Sequence, residues 1–378
     1  MRFVMVSQHY PVEGDPIFVF SQQITEAMAT YHGVECVVIS PQSVTRKLVH
    51  HKKIRKSIEK QVLDNGNTIT ILSFPYFTFS ESGNGLLTKL SDRSRRHALK
   101  KCIKKANLSK DDFCYAMFWH MGKLFDETLK ELNVDTNLIV ESSESELQQG
   151  YEISDYNFKS LKAIVCVSSE KVNECRKYNL LGKAPHYLIP NGYDPNTFKK
   201  LDREKMRAKY GFDKAAFIIS FVGSFIPRKG VQELNNVLKK VDGVSSIFIG
   251  GGEINPDCPG ILFKGPLDHE KIPEYLACSD VFVLPTKHEG CANVLVEALG
   301  CGLPIISSDR DFNKEILNDR CAILIDSDDE GELEKAIIKL RDNGKLRLQM
   351  EAASVEKSRE LTIEKRTDKI LEVFTWIK

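Results

Sequence analysis

The run Val281-Phe282-Val283-Leu284 carries no polar side chain on either face of the strand it would form. Such a strand is stable only where both faces are covered, which is the situation of a parallel sheet between two layers of helix. The pattern recurs along the chain. Arg2–Ser7, Val34–Ser40, Phe113–His120, Leu138–Glu144, Ile164–Glu170, Phe217–Ser224, Ser246–Glu253 and Ile261–Leu267 all read as short apolar strands, and most lead through a polar or glycine-containing loop into a helical segment. Strand and helix in alternation predict an α/β chain with doubly wound parallel sheets. Its 378 residues are enough for two such domains, each with its own core.

The loops after these strands are where open α/β sheets place ligands. Behind Val281–Leu284, the segment Thr286 to Cys291 is polar and contains Gly290, and a helix is predicted over Asn293–Leu299, stopped by Gly300 and Gly302 with Pro304 beyond. The unpaired N–H groups at that helix start, around Ala292, Asn293, Val294 and Leu295, favour an anion such as a phosphate. Glu297 lies about one turn in, on a pitch of ~5.4 Å, and a carboxylate there suits sugar hydroxyls, as does Glu289 on the loop. A second such junction follows Phe217–Ser224: Gly223 ends the strand, and Pro227-Arg228-Lys229-Gly230 precedes a helix from Val231. Two adjacent cations at a strand-to-helix turn suit a diphosphate.

The pattern Glu289-Gly290, Asn293-Val294, Glu297-Ala298, Gly300, Gly302-Leu303-Pro304 closely resembles the paired-glutamate signature of the retaining family 4 (group 1) glycosyltransferases of GT-B fold. The resemblance implies two Rossmann-like domains facing across a cleft, an NDP-sugar donor, most plausibly a UDP-sugar, and transfer of a hexosyl unit to a glycan or lipid-linked acceptor. It assigns Glu289 to the donor sugar, Glu297 to the ribose, and Arg228 and Lys229 to the diphosphate. The base falls to the segment that contains Phe263, Lys264 and Leu267, through its backbone. With those charges in place, no metal is expected. The same fold also serves nucleotide-sugar 2-epimerases, and a nucleotide-sugar-binding protein without turnover is the non-enzymatic alternative.

In the first half, the loop Gln8–Pro16 stands where relatives carry a paired glycine; here Gly14 is alone. His120 ends the strand Phe113–His120, ahead of a helix expected near Gly122, and the resemblance makes it an active-site histidine. Leu188–Pro195 is turn-rich and resembles the family's interdomain junction, dividing the chain into an acceptor-side domain 1–189 and a donor domain 190–360. Ile363, Ile370, Val373, Phe374 and Ile377 share one helical face, and the resemblance sends this C-terminal helix, 361–378, back onto the first domain.

A strand that starts at Arg2 leads to the expectation of no signal peptide. Ten cysteines without a CxxC pair, several within apolar strands or helices, fit reduced cytoplasmic thiols. The net charge of +1 hides an asymmetry. Residues 46–105 hold 15 Lys and Arg against four Asp and Glu, around the aromatic run Phe74-Pro75-Tyr76-Phe77-Thr78-Phe79. Cations interleaved with aromatics fit peripheral contact with an anionic membrane, or a solvated basic face over core aromatics; no nucleic-acid motif accompanies them.

Overall fold

The computed structural model describes residues 2–12, 15, 17–80, 85–144, 146, 147 and 150–377. The chain divides into two compact units: Met1–Val167 with Lys171–Ile189 and Thr367–Lys378, and Ser168–Glu170 with Pro190–Arg366.

Unit 1 is built on β1 (Arg2–Val6), β2 (Glu35–Ile39), β3 (Gln42–Ser43), β4 (Ile58–Val62), β5 (Thr68–Leu72), β6 (Pro75–Tyr76), β7 (Asp112–Met117), β8 (Asn137–Ser142), β9 (Leu161–Cys166) and β10 (His186–Leu188). Eight of them form one sheet in the order β10-β9-β8-β7-β1-β2-β5-β4, parallel except for the antiparallel pair β4 and β5. The central strands β1, β7 and β8 are buried almost throughout. Strand β4, Ile58-Glu59-Lys60-Gln61-Val62, has no buried residue, and its charged side chains suit the sheet edge it occupies. The hairpin β4–β5 has no counterpart among the strands expected from sequence, because its outer half lacks an apolar run.

Two boundaries differ from the sequence-based expectation. Strand β7 stops at Met117, Phe118 turns through φ 72°, and the next helix already begins at Trp119, so His120 lies in its first turn instead of at a strand end. Gly122 does not start the helix; it lets the helix lie close on the sheet. A Cβ there would stand 2.4 Å from Val140 Cγ2.

Unit 2 contains β11 (Phe217–Val222), β12 (Val244–Ile249), β13 (Ile261–Gly265), β14 (Val281–Leu284), β15 (Ile305–Ser308) and β16 (Ala322–Ile325). All pairings are parallel, in the order β13-β12-β11-β14-β15-β16. Counted within the unit this is 3-2-1-4-5-6, the doubly wound order in which the direction of winding reverses between the first and fourth strands. That point lies between β11 and β14. Every residue of β14 is buried, as the unbroken apolar run requires.

The C-terminal helix spans Ile363–Trp376. Its Phe374 belongs to unit 1, where the ring stacks on Phe113 at 4.6 Å and lies 5.9 Å from Phe3. All ten cysteines are buried free thiols. Among the described residues, no helix is long and apolar enough to cross a membrane.

Candidate active site

The two loops that leave β11 and β14 are laced together by their backbones. After Val222 the chain reaches a single 3-10 turn, Pro227–Lys229, closed by Gly230 at φ 70°. A side chain at Gly230 is excluded twice: by its left-handed φ, and because a Cβ would stand 2.1 Å from the carbonyl oxygen of Pro285. The carbonyl of Arg228 accepts the N–H of Lys287 at 2.8 Å and the hydroxyl of Thr286 at 3.2 Å. These bonds deliver both cations to one carboxylate.

Lys229 Nζ pairs with Glu289 Oε1, and Arg228 Nη1 lies 3.2 Å from the same oxygen. The single hydroxyl proton of Thr286 is shared between that oxygen, at 3.1 Å, and the Arg228 carbonyl. Arg228 also donates to the carbonyl of His288. Glu289 is nearly buried, and two cations and a hydroxyl gathered at one oxygen offset the loss of water. Its second oxygen, Oε2, has no partner among the described residues. Thr286, which fixes the carboxylate, was not singled out by the sequence; its only signal is a hydroxyl three positions before Glu289.

The helix Asn293–Gly300 begins beside this cluster. Its N-cap, Ala292, is extended and supplies no side-chain cap; the Leu295 N–H is taken by the Ala292 carbonyl at 3.0 Å, which leaves those of Asn293 and Val294 for an external acceptor. Cys291, Ala292 and Leu295 are buried. Asn191 Nδ2 donates to the Cys291 carbonyl at 3.0 Å and to Asn293 Oδ1 at 2.6 Å, so the turn expected to be a domain junction also braces the helix start. Glu297 is not a solvated helix residue. It is nearly buried, with His269 Nε2 3.4 Å from its Oε1. That contact raises the His269 pKa above its ordinary value, with desolvation opposing it, and the ring packs edge-on against Phe198 at 5.0 Å.

The remaining donor-side candidates are more scattered. Gly223 ends β11 beside Lys229, whose Cδ would lie 3.9 Å from an added Cβ. Phe263 and Lys264 lie on β13, which β12 separates from β11. The Lys264 ammonium turns to Asn255 Oδ1 at 2.8 Å and the Pro256 carbonyl at 2.9 Å, and Phe263 packs on Tyr275 at 4.7 Å. Neither side chain joins the Glu289 cluster. Leu267 follows in the half-buried loop after β13, and Gly290 is buried.

In unit 1 the corresponding reversal lies between β1 and β7, and His120 stands there: its Nε2 is 2.9 Å from Gln8 Oε1, on the loop after β1. Loss of hydration at the ring, then the charges of Arg95 and His9, lower the His120 pKa to about 4, although the residue as a whole is exposed. The ring is therefore neutral at pH 7 and can exchange a hydrogen bond but holds no charge. A small recess opens beside Gln8, lined among others by His9, Lys47 and Arg55. Gly14 lies outside the described residues. Among the described residues, no group of three His, Cys, Asp or Glu side chains is arranged to hold a metal.

Residues 216–343, which contain Arg228, Lys229, Glu289 and Glu297, match the family model described as glycosyl transferases group 1. Unit 2 carries a group 1 glycosyltransferase domain. The chain is 25% identical over 236 residues to the Escherichia coli UDP-Gal:alpha-D-GlcNAc-diphosphoundecaprenol alpha-1,3-galactosyltransferase, covering 57% of this chain and 60% of the relative. It spans about half the length of the curated relatives it matches. Among solved structures, sucrose-phosphate synthase from Thermosynechococcus elongatus superposes with a TM-score of 0.78 at 14% identity, over 100% of this chain and 99% of that one. Anabaena HepE in complex with UDP superposes with a TM-score of 0.72 at 14% identity, over all of both chains. The fold is GT-B, with a parallel-sheet Rossmann-like unit in each half.

Proposed function

We propose that the protein is a retaining glycosyltransferase that moves a hexosyl unit from an NDP-sugar, UDP-sugar above all, to a glycan or lipid-linked acceptor in glycoconjugate synthesis. The observation that carries this reading is the convergence of Arg228, Lys229, Glu289 and the uncapped start of Asn293–Gly300 at the β11/β14 reversal. UDP in the name of a structural relative, and a lipid-diphosphate acceptor in that of a curated relative, support the donor and acceptor classes.

A diphosphate competes with Glu289 for the two cations. Once it takes Arg228 and Lys229, the Glu289 carboxylate is released to accept hydrogen bonds from hydroxyls of the sugar, and Glu297 receives those of the ribose. Backbone near Phe263 to Leu267 reads the base. As the bond from the anomeric carbon to the diphosphate oxygen breaks, negative charge builds on the leaving group. Arg228, Lys229 and the helix N–H groups are already in place to stabilise it, a task that asks for no metal. The acceptor hydroxyl attacks from the face the diphosphate leaves, and its proton passes to a leaving phosphate oxygen, so the anomeric configuration is kept. His120, neutral and bonded to Gln8, is assigned to the acceptor side.

The test combines UDP-sugars, each with and without lipid-diphosphate and glycan acceptors, with NMR of the product's anomeric centre. Transfer with retention is expected, and it should fall roughly a hundredfold or more in Arg228→Ala/Lys229→Ala. Unchanged turnover in that double variant rejects the clamp. A new nucleotide sugar formed from donor alone identifies an epimerase, and UDP binding without either product identifies a binding protein.

A further inference from the structure

Large apolar side chains exposed to solvent are unevenly distributed. Of 17 such residues among those described, ten fall between Leu48 and Leu90 in unit 1. Three segments bring a subset together. The extended stretch Phe77–Phe79 is stapled on one side to the short helix Val44–Val49, where Thr78 N–H donates to Thr45 Oγ1 at 2.8 Å and Thr45 donates to the Thr78 carbonyl at 3.0 Å. On the other side it is held by the helix Leu86–Ala106, where Ser94 and Ser91 hydroxyls accept the N–H groups of Phe77 and Phe79 at 3.0 and 2.8 Å.

Alternation along the stretch then separates inside from outside. Phe74 packs against the core and Tyr76 is buried, whereas Phe77 and Phe79 remain 54% and 55% exposed. Val49 in the short helix is 73% exposed, and in the long helix Leu86 is 75% exposed, with Leu87 and Leu90 beside it. The long helix packs its other face, through Leu99, Cys102 and Ile103, into the core. The outward side chains stay exposed in the folded chain.

An apolar ridge of this kind marks an interaction surface. The choice of partner rests on charge: residues 46–105 carry 15 Lys and Arg against four Asp and Glu, and the exposed cations Lys89 and Arg93 are interleaved in sequence with the leucines of the ridge. Nucleic acid would engage the cations but leave the exposed Phe and Leu side chains in water. A lipid leaflet takes both, with rings and leucines at the acyl boundary and ammonium and guanidinium groups at the phosphates. We propose that this face of unit 1 docks on an anionic lipid surface, with Phe77, Phe79, Leu86, Leu87 and Leu90 entering the headgroup layer. The surface is independent of the donor chemistry in unit 2 and stands or falls separately from it.

The experiment is co-sedimentation of the full chain with phosphatidylcholine vesicles, with and without phosphatidylglycerol, at low and high salt. Binding is expected only to the anionic vesicles. Phe77→Ser/Phe79→Ser should lower the partition coefficient roughly tenfold at either salt, while Lys89→Gln/Arg93→Gln should lower it at low salt only. Thermal melting checks that the serine variant is folded. Should it not be, Phe79→Trp gives a separate reading: the emission added by this substitution should shift to the blue on anionic vesicles. Absence of binding overturns the proposal, and so does binding that the serine variant shares in full while the emission of the Phe79→Trp variant stays unshifted. A dimer that the serine variant dissociates while vesicles are ignored overturns it as well.

Discussion

At the scale of single residues, the two glutamates of the candidate site have different environments. Glu289 is held by Lys229, Arg228 and Thr286 through one oxygen, whereas Glu297 meets His269 at the outer limit of a hydrogen bond. The second contact leaves a titration signature. With its folded-state pKa raised above the unfolded value of about 6.5, His269 takes up a proton on folding. Its contribution to stability is fully present below about pH 6.5 and is lost as pH rises through the folded pKa. We predict that an NMR titration of the His269 ring gives a midpoint above about 6.5, and that Glu297→Gln lowers it, since the largest raising contact is lost while desolvation stays and only the weaker charges of Glu270 and Asp194 still oppose it. A wild-type midpoint at or below the unfolded value would show that the pair does not form in solution.

At the scale of elements, the placement of the site depends on how β11 and β14 are registered, and a buried arginine sets that register. Arg207, in the helix Arg203–Tyr210, donates to Asp280 Oδ2 at 2.8 Å and to the carbonyls of Cys278, Lys214 and Ala216 at 2.8, 2.8 and 2.9 Å. Asp280, just before β14, also accepts the N–H of Ile218 in β11 at 2.8 Å. One guanidinium thus ties the starts of both strands, and the strands carry Arg228 and Glu289 at their other ends. Arg207→Ala should cost about 3–5 kcal/mol in urea unfolding, because it leaves the Asp280 carboxylate buried with fewer donors. Arg207→Lys should recover little of it, lacking the forked geometry. A loss below about 1 kcal/mol would contradict this account. Arg207 was not visible as a structural residue in the sequence, where it stands among exposed cations of a polar helix.

At the scale of the whole molecule, the chain leaves unit 1 at Ile189 and re-enters it at Thr367. The return is fastened by Phe374 on Phe113 and Phe3, which places the last helix against the first strand and the central β7. Phe374→Ala should destabilise unit 1 by about 3–5 kcal/mol. In hydrogen exchange, amides of Arg2–Val6 and Asp112–Met117 should lose protection while those of Phe217–Val222 and Val281–Leu284 keep theirs. Equal loss in both sheets would show that the units unfold as one.

How much of this was legible depends on whether a feature is encoded locally. Val281–Leu284 and Phe217–Val222 declare buried parallel strands because each residue must avoid water, and the Glu289 and Arg228-Lys229 segments are recognisable because they sit directly behind such strands. The pattern also gave the helix Asn293–Gly300 to within a residue, since Gly300 and Gly302 end it. It placed His120 wrongly, at a strand end, because Phe118 takes a positive φ that no residue type announces. Partner choice across long separations was not legible: Lys229 with Glu289, Asn191 with Asn293, Arg207 with Asp280, Phe374 with Phe113. The exposed side of Phe77 and Phe79 belongs with these, since an aromatic run reads equally as core or surface until its neighbours are placed. The sequence alone therefore determined the class of fold and the loops that carry the chemistry, through short-range apolar periodicity and glycine stops. Only the tertiary structure decided which charges meet and which apolar faces stay in water, because both depend on distances between segments that lie far apart along the chain.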